Sequence, residues 1–159
     1  MKPIEMLPGS IALPLPDDDF VTESEQELHV VFPEDYRDFV KRFGGGKPVL
    51  RSFVASGHEW AIDRFLCLLE NYADNPCGDY DIGVVWSELF DRMTDAPDSV
   101  GASMVPIAVL FASDFVCLDY RTSRERPAVV VWLHEESDEW APVICPVAST
   151  FTDFLQLLE

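Results

Sequence analysis

Cations are scarce in this sequence: 11 Lys and Arg stand against 29 Asp and Glu. The formal net charge is −18 and the pI about 4.2. A field of that sign repels nucleic-acid phosphates and anionic membranes, because both need cations to replace their counterions. No apolar stretch approaches the ~20 residues of a membrane span; runs such as Ala128 to Leu133 are strand-sized. Near the N-terminus Pro3, Glu5, Pro8, Pro14 and Pro16 break every apolar run, so no signal-peptide core forms and a cytoplasmic protein is expected.

Metal and nucleophile signatures are equally thin. Cys67, Cys77, Cys117 and Cys145 form no C-x-x-C pair, which removes zinc-ribbon and dithiol redox readings. Cys67, Cys117 and Cys145 lie in apolar segments and read as reduced core thiols. His29, His58 and His134 are the only imidazoles, and His58-Glu59 has no second His one turn on. No Ser occupies a G-x-S-x-G elbow. Asp74, Asp79 and Asp81 near Gly78 and Gly83 miss the ligand spacing of a calcium loop. Gly44-Gly45-Gly46-Lys47 closes a helix instead of opening one, and Pro48 stands where a phosphate loop needs Ser or Thr. No catalytic, cofactor or metal site is expected, and the chain is read as no enzyme.

What the chain has is apolar and aromatic mass, 48% and 12% of residues, too much for a disordered acidic tail. At 159 residues it suits one domain with a sizeable core. Residues 1–16 hold four prolines and read as an extended leader, with the domain over 17–159. A helix is predicted from Phe20 to His29. A stronger one starts with Pro33 at the first helical position. Tyr36, Phe39, Val40 and Phe43 lie on one face, and glycines close it. Strands are predicted over Val49–Ala55, Ala61–Leu69, Met104–Leu110, Phe115–Tyr120, Ala128–His134 and Glu139–Val147. Ile82–Met93 reads as amphipathic helix, and Thr150-x-x-Asp153 caps a last one. The fold class is α+β: a mainly antiparallel central sheet with helices packed on it, N-terminal helices and a C-terminal helix.

The order of these segments resembles the SUKH superfamily. Phe32-Pro33-Glu34-Asp35-Tyr36, followed by Gly44-Gly45-Gly46-Lys47-Pro48, is similar to its N-terminal signature. Val105-Pro106-Ile107-Ala108, Asp114 to Tyr120, Pro127 to Glu135 and Ala148 to Leu155 follow in the family's order. The family has Leu where this chain has Phe32, and Asn before the glycines where it has Phe43. Members include bacterial immunity proteins and fungal regulators of cell-wall glucan synthesis. The resemblance implies an α+β fold and, for a bacterial member, binding and neutralisation of a toxin domain, often a nuclease. It supplies no catalytic residues.

Charge and resemblance together point to an immunity protein whose acidic surface meets a cationic protein, with neither nucleic acid nor membrane as partner. A scaffold or regulatory interaction module is the alternative. The loop acids Asp74, Asp79 and Asp81 are the first partner-binding candidates, since from Asp74 to Asp98 seven acids face only Arg92. Glu135, Glu136, Asp138 and Glu139 are the second group. Trp86 and Trp140 are the apolar anchors beside them, because Trp is over-represented at interface hot spots. Trp132, inside an apolar strand, reads as core.

Overall fold

The computed structural model describes residues 3–159, so the first two residues of the expected leader lie outside it. Six strands form one sheet in chain order: β1 (Ser52–Ala55), β2 (His58–Phe65), β3 (Met104–Leu110), β4 (Phe115–Asp119), β5 (Ala128–Trp132) and β6 (Ile144–Ala148). Every neighbouring pair is antiparallel. Helices α1 (Asp18–Leu28), α2 (Glu34–Phe43), α3 (Ile82–Leu89) and α4 (Phe151–Gln156) complete a single α+β domain.

The helix termini follow local chemistry. Asp17 caps α1 by accepting the Phe20 N–H at 2.8 Å, so this helix begins two residues earlier than predicted. Pro33 stands one position outside α2, as its cap residue, and Gly44 ends the helix at φ 61°. Gly45, at φ 106°, lies so close to the next segment that a Cβ there would sit 2.7 Å from the Leu66 carbonyl oxygen. Thr150 accepts the Asp153 N–H at 3.0 Å and starts α4 as predicted.

Two faces of the sheet are covered unequally. On one, Tyr36 and Phe39 of α2 meet Phe151 of α4 with ring centroids 5.1 and 5.0 Å apart, and Phe39 reaches Phe65 of β2 at 4.8 Å. Val116, Leu118, Val129 and Val131 form the sheet side of this core. Asp35 ties the two helices together by accepting both the N–H and the hydroxyl of Thr152. On the opposite face Cys117, Val130, Trp132 and Met104 pack beneath Met93, just past α3, in a second small core. Trp132 is fully buried there.

Two predicted elements are cut short: β1 starts at Ser52 instead of Val49, and α3 ends at Leu89 instead of Met93, with a 3-10 turn over Phe90–Arg92. Three other segments depart further. The apolar run Ala61–Leu69 is not one strand: β2 ends at Phe65. Leu66 to Leu69 then stay buried through bonds to other segments, including Leu66 N–H to the Ile107 carbonyl at 2.8 Å. Burial on all sides made the run apolar, not sheet pairing. Strand β2 instead begins at His58, after a two-residue turn of Ser56 and Gly57, both at positive φ, which suits the twist of a tight hairpin. Glu139–Val143 is turn instead of strand, with Trp140 at φ 59° and β6 starting only at Ile144.

Candidate functional site: the acidic end of the sheet

In an up-and-down meander, alternate connections share one end of the sheet. Here the β1–β2, β3–β4 and β5–β6 connections meet at one end, and the β4–β5 connection with Arg121, Arg124 and Arg126 lies at the other. The three gathered connections bring Glu59, Asp114, Glu135, Glu136, Asp138 and Glu139 together, with no Lys or Arg among residues 54–60, 111–114 and 133–143. The meander therefore gathers acids from three separate stretches of the chain at one end, while the β2–β3 connection, with its own acids from Glu70 to Asp98, leaves and rejoins the sheet at the other.

The connections enclose a groove of about 400 Å³. Glu59 and Trp60 of β2 line it, as do Glu135 and Glu136 beyond β5. Leu133 and Cys145 supply apolar surface, and Asp114 of the β3–β4 turn closes the end. Asp114 accepts the backbone N–H of His134 at 2.9 Å, which ties that turn to the exit of β5. Glu59, Glu135 and Glu136 are exposed, and among the described residues they make no ion pair.

Asp138, Glu139 and Trp140 turn away from this groove toward the end of α3. The turn is closed by reciprocal backbone bonds between Asp138 and Ala141, and the Trp140 N–H donates to the Asp91 carbonyl at 2.7 Å. Beneath it Ser137, nearly fully buried, accepts the Val143 N–H at 2.9 Å. Trp86 reaches the same neighbourhood through Phe90, their rings 5.7 Å apart. Phe90 is 45% and Trp140 36% exposed, so α3 and the following turn present aromatic surface beside Asp91, Asp138 and Glu139.

The first group of predicted acids is divided. Asp74 and Asp79 are exposed, in short 3-10 turns at Tyr72–Asp74 and Gly78–Tyr80 near the start of α3. They are thus separated from the sheet-end acids by the length of that helix. Asp81 is not a surface acid. It is 6% exposed, and its two carboxylate oxygens accept the N–H groups of Val84 at 3.1 Å and Leu69 at 2.9 Å. Burial pushes its carboxyl above the ordinary range, opposed by those hydrogen bonds. It caps α3 and pins the segment after β2. A second groove, of about 320 Å³, lies between α1 and α3 and is lined by Phe20, Glu27, Glu70, Tyr72 and Trp86.

Most of the chain's arginines are used internally. Arg37 pairs with Glu25 and Arg121 with Asp119. Arg64 donates to the Ser10 carbonyl and stacks on Tyr80, its guanidinium 4.5 Å from the ring centre. Arg124 donates to the carbonyls of Ala102 and His29, each at 2.8 Å. Arginines bonded to backbone carbonyls fasten segments without neutralising any carboxylate, and of the exposed acids Asp18 pairs with Lys41 and Asp95 with Arg121. Among the described residues no group of three or more His, Cys, Asp or Glu could hold a metal ion, and no helix is long and apolar enough to cross a membrane.

The family model described as SMI1-KNR4 cell-wall matches residues 18–155, from the first turn of α1 into α4. The chain belongs to this family, SUKH_6. Comparison with curated proteins and with solved structures found no match. The SUKH_6 match takes in the whole sheet and both grooves. Sequence reasoning missed Glu59 at the site and weighed Trp60 only as one of four candidate tryptophan anchors, and it missed Asp114 and Phe90 as well. The Ser56-Gly57 turn signal could have placed the first two, whereas Asp114 joins them only through sheet topology.

Proposed function

We propose that this SUKH_6 member is a cytoplasmic immunity protein that binds and neutralises a cognate toxin domain by occupancy, without turnover. The toxin class that its charge suits best is a nuclease, since an enzyme that grips phosphates presents cations around its active site. The carrying observation is the gathering of six carboxylates in three connections that contain no Lys or Arg of their own, where the one guanidinium that reaches in, that of Arg92, is bonded to the His134 and Ser137 carbonyls instead of to a carboxylate. Aromatic surface from Phe90 and Trp140 beside them supplies the apolar contact that long-lived complexes need. Asp74, Asp79 and Trp86 extend this reading along α3 as a secondary contact.

The test is co-expression with the product of the adjacent reading frame, scored by growth and by copurification. Wild type should protect cells and copurify. A charge-reversed variant, Glu135→Lys with Glu139→Lys, should lose both while keeping its circular dichroism spectrum. Protection that survives charge reversal would place the interface elsewhere, and copurification without protection would remove neutralisation from the reading.

A further inference from the structure

The groove at the acidic end joins an aromatic wall to a carboxylate rim, and the two kinds of surface are fixed independently. Trp60 is held by Phe53, opposite it on β1, with ring centroids 5.8 Å apart and planes only 27° from parallel. The His58 ring stands 5.6 Å from the same indole. Across the groove Asp114 is anchored through the His134 N–H, while Glu59, Glu135 and Glu136 have no cationic partner among the described residues.

We propose that this groove receives a single arginine side chain projecting from a cationic protein partner. Its guanidinium would lie against Trp60, within reach of Glu135 and Glu136. The proposal rests on the protein-binding reading above and assigns its specificity to one pocket. A volume of about 400 Å³ accommodates one long side chain but not a helix, which is ~10 Å across with its side chains. Arginine fits better than lysine because its planar, weakly hydrated cation can stack on an aromatic face and donate to several carboxylates at once. A second copy of this chain is a poor occupant, since each copy carries −18.

Titration of the intact protein with a short glycine–arginine repeat peptide and its glycine–lysine counterpart tests this directly, read by calorimetry. The arginine peptide should bind at least ~fivefold more tightly than the lysine peptide. Trp60→Leu should erase that preference. Glu135→Gln with Glu136→Gln, at exposed positions that the fold does not need, should weaken both peptides ~tenfold. Glu23→Gln with Glu125→Gln, at exposed positions on α1 and in the β4–β5 connection at the opposite end of the sheet, should change neither. Equal binding of the two peptides, or loss caused equally by the distant pair, would overturn the pocket and leave only diffuse charge. Self-association of the peptide-free protein that the Gln pair abolishes would overturn it in favour of a second copy. No toxin enters this assay, so the pocket can fail while protection in cells stands, and the reverse.

Discussion

Trp132 and Arg92 hold each other from both ends of the arginine. The indole N–H of Trp132 donates to the Arg92 carbonyl at 2.8 Å, while the Arg92 guanidinium stands 5.3 Å from the centre of the same indole. That guanidinium also donates to the carbonyls of His134 and Ser137, the latter at 2.8 Å. The one cation in the acidic stretch from Asp74 to Asp98 is therefore a staple: it fastens the end of α3 and the β5–β6 connection to the second core.

Replacing Arg92 by Met keeps the stem over Trp132 but orphans two part-buried carbonyls. We expect a loss of about 2–3 kcal/mol in urea unfolding, together with faster amide exchange over residues 134–141. Arg92→Lys should recover little, because one ammonium cannot reproduce the planar fork. Normal exchange in that connection would mean that Ser137 and its own hydrogen bonds suffice to hold it.

Asp81 gives a pH signature of unusual sign. Its native carboxyl titrates above the ordinary value of 3.8, chiefly because it is buried. Folding therefore favours the protonated form. The group's contribution is fully present below about pH 3.8 and is lost as pH rises through the elevated native value. Relative to Asp81→Asn, wild type should gain stability as pH falls from about 7 toward about 4. Urea midpoints of the two proteins across that range measure it. A difference that grows with rising pH would show that the carboxylate's hydrogen bonds outweigh its burial.

Which features were legible depended on how local their cause is. Helix α2 announced itself because its cap, apolar stripe and glycines lie within a few turns of chain, and the Met104–Leu110 strand because its short apolar run ends in turn residues at both sides. Asp81 was misjudged as a loop acid although an acid directly before the apolar Ile82–Val85 run is a capping signal. The loop-like composition around it masked that. The Leu66–Leu69 run imitated strand because apolarity reports burial whatever bonds the backbone makes. The site is the least local feature of all. Glu59, Asp114 and Glu135 are far apart in sequence, and only the order of six strands brings them to one groove.

The cysteines separate into two classes. Cys67 and Cys117 are buried, and Cys77 and Cys145 are partly exposed; all four are free thiols. Burial pushes the Cys67 thiol up to about 12 and the Cys117 thiol well above its ordinary value. At about pH 8 a disulfide reagent should modify Cys77 and Cys145 in the folded protein, and the other two only after denaturation. Mass spectrometry of the labelled peptides identifies them. Rapid labelling of Cys67 would show that the segment after β2 opens readily despite the Asp81 tie.

Salt should act in opposite directions on the fold and on the complex. With net charge −18 and many of its arginines turned inward, the folded chain holds surface carboxylates together against their repulsion. Raising ionic strength shortens the screening length to about 8 Å at 0.15 M and relieves that repulsion. A stabilisation of about 1 kcal/mol would raise Tm by roughly 2–4 °C for a domain of this size. The same screening removes the attraction between the acidic sheet end and a cationic partner, so affinity should fall ~tenfold or more over the same interval, mostly through slower association. Scanning calorimetry and stopped-flow binding in matched buffers give the two signs side by side. A Tm that falls with salt would mean that internal ion pairs such as Arg121–Asp119 outweigh surface repulsion, and a salt-independent association rate would remove the acidic end from the encounter.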